Sequence, residues 1–263
     1  MASKKLGSFR LLRRALGHFR HHWTGYWRIV AVTALPVGFL GLFMGASSDT
    51  TLSAYLALAS LVMTTALVWA MARQFAGRTT QMTARLPRPV SVARSYYDGS
   101  ELFVKFMLVG LSLVSMVVPL AIGLGLLNVS LSVTGFTNLI SPEQLIITAV
   151  CALIALPTFY LLGGYSLGLI AVARDGGRPI EALRTARKLV RGSFWSTVAR
   201  LILLIIWMSI LLAPMAVAAG LLVNIGYVGW AKLLFQYYSW FIILPIMYLY
   251  LFELYISLED QSV

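Results

Sequence analysis

The sequence predicts an all-α polytopic membrane protein: six transmembrane helices in three hairpin repeats, each preceded by a basic amphipathic helix on the cytoplasmic side. Three observations carry this expectation. Hydrophobic residues make up 59% of the chain and charged residues 11%, and the mean hydropathy of +0.83 leaves no stretch with the composition of a soluble domain. Apolar runs near the ~20 residues needed to cross hydrocarbon recur along the 263 residues. Charge is confined as well: of the 21 lysines and arginines, only Lys232 falls in a loop between paired spans.

The first repeat opens with a helix over 8–23. Arg10, Arg13, Arg14, His18 and His21 form one stripe at spacings of three or four, and Phe9, Leu12, Leu16, Phe19 and Trp23 form the other. Such a helix suits the headgroup layer. Apolar runs at 29–45 and 52–72, joined by GASSDTTL, make a transmembrane hairpin. A basic amino end before an apolar run also describes a signal peptide. Here the basic region is itself amphipathic and a second span follows at once, so the first span is read as uncleaved.

The second repeat begins among Arg73, Arg78, Arg85 and Arg88, interrupted by Pro87 and Pro89. Arg94 with Asp98, and Glu101 with Lys105, stand at i, i+4, so this second basic helix is expected to neutralise itself. Spans at 106–127 and 145–172 follow, joined by NVSLSVTGFTNLISPEQ, which carries no lysine or arginine.

The third repeat holds the most regular basic helix. Asp175, Gly176 and Gly177 mark a break and Pro179 suits a first helical turn. Arg184, Arg187, Lys188 and Arg191 then fall at i, i+3, i+4 and i+7, opposite Ile180, Leu183, Ala186, Val190 and Phe194. Spans at 201–223 and 233–255 lead to a short acidic tail with Glu259 and Asp260.

Basic residues beside spans are retained in the cytoplasm, which places both termini there, in a membrane crossed several times. The chain reads as one integral domain, 1–263, with repeats at about 8–72, 88–173 and 178–258. Arg88-Pro89-Val90 matches Arg178-Pro179-Ile180, and Pro36, Pro119 and Pro214 each stand in the span after a basic helix. Three copies of one orientation imply an axis along the membrane normal. Mitochondrial carriers share that plan, but their signature needs an acidic residue two positions after the proline, where this chain has Gly38, Ala121 and Ala216.

Two stretches, FRLLRRALGHFRHHWTGYWRIVAVTALP and VARDGGRPIEALRTARKLVRGSFW, lead a basic helix with Ala-Leu to an aromatic at the membrane entrance. In these the chain resembles uncharacterised bacterial inner-membrane proteins related to the membrane domain of glycerophosphodiester phosphodiesterases. The resemblance implies a membrane module of the bacterial cytoplasmic (inner) membrane, without the catalytic domain of the longer relatives.

The net charge of +12 has no separate basic domain to carry nucleic acid, so membrane phosphate is the expected anionic partner. The expected lipid-headgroup residues are Arg10, Arg13, Arg14, Arg184, Arg187, Lys188 and Arg191, with anionic phospholipids and a membrane protein as partners. Gly164 and Gly168 form a GxxxG packing notch, while Tyr160 and Tyr165 are polar enough to bond between helices. Glu253 is the carboxylate set inside an apolar run, a candidate intramembrane polar site within reach of water or Arg200. Cys151 stands alone, and His18, His21 and His22 lack an acidic or cysteine co-ligand in their segment, so no metal and no cofactor are expected. No nucleophile, base and acid converge, and no enzyme is expected. The leading reading is a non-enzymatic module that binds anionic lipid and a protein partner; the alternative is a small transporter or permease subunit with parallel threefold repeats.

Overall fold

The computed structural model describes residues 7–43, 50–76, 91–134 and 160–262, with a few single positions between 146 and 158. All regular structure among these residues is helical, and four helices are long and apolar enough to cross a membrane: Ala57–Phe75, Val92–Pro119, Phe194–Asn224 and Val228–Asp260. The expected spans at 29–45 and 145–172, the GASSDTTL loop, the 73–90 connection and most of the long uncharged loop reach into or lie outside the described residues.

Helix α1, Ser8–Phe43, fuses the expected amphipathic helix and first span into one rod of 36 residues. Nothing between them breaks a helix, since the first proline is Pro36. Continuity changes which face is buried. A single stripe must meet the bundle along the whole rod, and it runs through Leu11, Ala15, His18, Tyr26, Ile29, Val30, Ala34 and Val37. Phe9, Leu16 and Trp23, expected on the greasy side, are exposed, and His18 leaves the basic stripe for the interior.

Helix α2, Thr50–Ala76, is central: every residue from Met63 to Ala72 is buried, as befits a helix apolar on all sides. Helix α3, Val92–Thr134, again merges a connecting helix with a span, and its 43 residues make a rod of about 65 Å at 1.5 Å per residue. It lies against α2 where Gly99 meets Ala66; a Cβ at Gly99 would stand 3.0 Å from Ala66 Cα. Tyr96 of α3 donates to the Ile29 carbonyl of α1 at 2.6 Å.

The fourth apolar run is not one straight span. Residues 160–165 are helical, Ser166 and Leu167 turn, and α4 resumes over Gly168–Asp175. Gly176 ends α4 in the left-handed conformation at φ 64°, its N–H on the Val172 carbonyl at 3.0 Å. Helix α5, Pro179–Arg191, starts with proline in its first turn, and the Arg178 N–H donates to the Glu181 carboxylate at 3.3 Å. It packs on α4, α3 and the last helix. Its apolar side therefore faces the protein.

Helix α6, Phe194–Asn224, contains Pro214 and carries Ile202, Ile205, Ile210, Val217 and Leu221 exposed along its length, a surface suited to acyl chains. Helix α7, Val228–Tyr238, continues through a π turn, Ser239–Ile243, into α8, Leu244–Ser262. The π turn ends two residues before Pro245. Proline has no N–H for the carbonyl four residues earlier, that of Phe241, and the indole of Trp27 from α1 donates to that oxygen at 3.0 Å. One residue row away, Tyr237 donates to the Ala34 carbonyl at 2.7 Å, which requires Gly38: a Cβ there would sit 1.6 Å from the Tyr237 hydroxyl. The last helix extends to Ser262, so Glu259 belongs to α8 instead of a tail, and its Oε2 meets Arg174 Nη1 of α4 at 2.5 Å.

Candidate lipid-headgroup interface

The α5 helix sorts its side chains by register. Ala182, Ala186 and Val190 are buried, Leu183 packs beside them, and Arg184, Arg187, Lys188 and Arg191 are exposed on the outer side. Ile180 is 66% exposed, so the expected apolar stripe begins two residues later, at Ala182. Among the described residues no carboxylate pairs with these four cations. Glu181, the nearest in sequence, is turned to the amino end of its own helix. Four uncompensated charges on one face of a short helix make a local positive field toward solvent.

One of the four is fixed in place. Arg187 Nη1 donates to the Tyr165 hydroxyl at 3.1 Å, and the guanidinium carbon lies 5.7 Å from the Tyr165 ring centroid. Accepting from the charged guanidinium, the Tyr165 hydroxyl raises the Arg187 pKa, and the Tyr160 hydroxyl adds to this. The helical segment 160–165 is able to receive these side chains because its middle, Gly163-Gly164, is bare. A Cβ at Gly163 would come within 2.9 Å of both Phe194 and Val198, while one at Gly164 would lie 4.0 Å from Arg187 Cγ. Gly163 thus seats the start of α6, and Gly164 seats the Arg187 stem. At Gly168 a Cβ would meet Leu183 of α5 at 2.7 Å and Val109 of α3 at 3.5 Å. The notch of Gly164 and Gly168 therefore receives the connecting helix.

On α1, Arg10, Arg13 and Arg14 are exposed, while Phe9 lies edge-on to Trp207 of α6 at 5.9 Å. The amino end of α1 is thereby docked on the bundle. On α3, Arg94 Nε and Asp98 Oδ2 are 3.8 Å apart, a loose exposed pair. The expected Glu101–Lys105 pair does not form. Lys105 Nζ donates to the Gly176 carbonyl at 2.6 Å, because the end of α4 presents an unsatisfied carbonyl beside it.

Glu253 is buried, on the same side of α8 as Tyr250, whose hydroxyl donates to the Arg200 carbonyl at 3.2 Å. Arg200 makes no ion pair with it. Its Nη1 is buried without a hydrogen-bond partner among the described residues. His18 Nε2 and Gln74 Oε1 are 3.2 Å apart, Tyr26 donates to the same oxygen, and His22 stacks on His18 with ring centroids 4.5 Å apart. Among the described residues no three His, Cys, Asp or Glu side chains are grouped as metal ligands. The Arg187–Tyr165 contact was not anticipated. Its signal in the sequence is a pair of tyrosines on either side of Gly163-Gly164, near an aromatic helix start at Phe194.

The described residues form an all-helical fold with four helices able to cross a membrane, compatible with a multi-pass membrane protein. Compared with protein-family models, curated proteins and solved structures, the chain matches none.

Proposed function

We propose that the protein is a non-enzymatic module of the bacterial cytoplasmic membrane, six-spanning with both termini inside, that binds anionic phospholipid through its cytoplasmic basic helices and engages a membrane protein partner. The observation that carries this reading is the outer face of α5, where Arg184, Arg187, Lys188 and Arg191 are exposed with no carboxylate against them among the described residues. Each cation near an anionic leaflet contributes ~1 kcal/mol before screening, so the face supplies a few kcal/mol. The resemblance to the membrane domain of glycerophosphodiester phosphodiesterases favours a module over an enzyme. The filling of the interior around α2 by Met63, Leu67, Met71 and Phe75 favours it over the transporter alternative.

The test is lipid retention. Replacing all four α5 cations with glutamine is expected to leave insertion and folding intact while lowering the phosphatidylglycerol and cardiolipin that co-purify, measured by mass spectrometry. Arg94→Gln is expected to do less, since Asp98 already stands beside it. Equal lipid content in parent and both variants would reduce the basic helices to topology signals.

A further inference from the structure

The guanidinium of Arg187 is held by a neutral phenol, an arrangement that leaves hydrogen-bonding capacity unused. A tyrosine oxygen that accepts from arginine keeps its own proton free to donate. Neither Tyr160 nor Tyr165 has another acceptor for that proton among the described residues, and even with both phenolic oxygens accepting from Arg187 most of the five guanidinium donors stay open. Tyr160 is 52% exposed, with its ring tilted on Phe194 at a centroid distance of 5.0 Å. Both hydroxyls thus border one fixed cation at the surface.

The height of this cluster along the bundle follows from α6. Trp195 is 78% exposed at the second position of a helix apolar enough to span the bilayer, the place where an amphipathic ring marks the headgroup layer. Phe194 touches Trp195 on one side, at 5.4 Å between centroids, and Tyr160 on the other. The phenols and Arg187 therefore stand at headgroup level. Lys188 and Arg191, exposed on the same helix, repel an ammonium and so disfavour zwitterionic headgroups.

We propose that Arg187, Tyr165 and Tyr160 form a discrete site for the phosphodiester of an anionic phospholipid, in which the two phenolic protons and the free guanidinium N–H groups bind its non-bridging oxygens. The proposal rests on the lipid-binding reading above and adds stereochemistry to it: a charged stripe alone is indifferent to two neutral hydroxyls. Trp195 lies where the first carbons of the acyl chains would pass.

The test uses the full-length protein in phosphatidylcholine nanodiscs into which phosphatidylglycerol is titrated. The Tyr160→Phe, Tyr165→Phe double variant keeps both rings and the net charge, and is expected to bind phosphatidylglycerol at least about tenfold more weakly, equivalent to ~1.4 kcal/mol. Arg187→Lys keeps the charge but loses the planar fork and is expected to weaken binding similarly. Soluble glycerol 3-phosphate is expected not to displace the lipid; displacement at matched concentration would make the ligand a soluble phosphate ester and overturn the lipid assignment. A double variant that binds like the parent while the glutamine stripe variant binds less would overturn the site and leave the stripe reading standing. If the stripe variant also binds like the parent, both fall.

Discussion

Asp175 shows how a single residue at the end of α4 couples burial to pH. Burial raises its pKa above the ordinary 3.8; the Tyr255 hydroxyl, donating to Oδ2 at 3.3 Å, and the Arg174 charge act the other way, while Glu259 adds to the rise. The folded state thus binds the Asp175 proton more tightly than the unfolded chain. Its stabilising contribution is complete below the unfolded value and is lost as pH rises through the folded one. Asp175→Asn keeps an acceptor for Tyr255, so in detergent its Tm at pH 7 is expected to equal or exceed the parent's, with the gap closing as pH falls toward about 4. A variant less stable than the parent at pH 7 would mean that the folded protein favours the carboxylate. This coupling was not legible in the sequence, where Asp175 reads only as part of a break with Gly176 and Gly177. The tyrosine facing it lies 80 residues away.

At the scale of elements, α1 is locked to the rod of α7 and α8 by two hydrogen bonds that run in opposite directions. Trp27 donates to Phe241, whose ladder bond Pro245 removes, and Tyr237 donates to Ala34 beside Gly38. In lipid a freed backbone carbonyl needs a partner from a neighbouring helix, which accounts for the tryptophan at this level, while the Tyr237 hydroxyl, equally short of water, finds its acceptor on α1. Gly38→Ala is expected to expel the Tyr237 hydroxyl, because no shift of a tenth or two of an ångström relieves a 1.6 Å contact. Its Tm should fall clearly, by an amount that reflects ~1–3 kcal/mol of overpacking. Adding Tyr237→Phe, which removes the clashing oxygen, should recover part of the loss. An alanine variant as stable as the parent would show that α1 and α7 are not in this register.

The same elements show what the sequence could and could not reveal. The spans of α6 and α8 were legible as long apolar runs, and α5 as a 3.6-residue pattern between Pro179 and Gly192. The joining of the connecting helices to spans in α1 and α3 is not legible in the sequence, because a change from charged to apolar composition looks like a boundary even where no residue breaks a helix. Local spacing puts His18 in a basic stripe and Lys105 in a pair with Glu101; their partners, Gln74 and Gly176, depend on how distant helices meet. Gly164 and Gly168 were legible as bare positions, yet local spacing did not tell that α5 fills one and the Arg187 stem crosses the other.

For the whole molecule, the charge distribution makes a statement about sidedness. With Cys151 replaced by serine, single cysteines at Ser48 and Thr137 are expected to react with an impermeant thiol reagent in whole cells, and one at Thr80 to be protected until the membrane is opened. Labelling at Thr80 alone would invert the orientation and place the basic helices outside. The central claim, that the α5 face meets anionic lipid, is tested most directly by the Tm of protein reconstituted at increasing phosphatidylglycerol content. A ligand that binds the folded state raises stability with its concentration, and a Coulombic one does so less at high salt. The parent Tm is expected to climb with phosphatidylglycerol fraction and the climb to flatten in salt, while the variant with Arg184, Arg187, Lys188 and Arg191 changed to glutamine stays nearly level. Parallel curves for parent and variant would contradict the account.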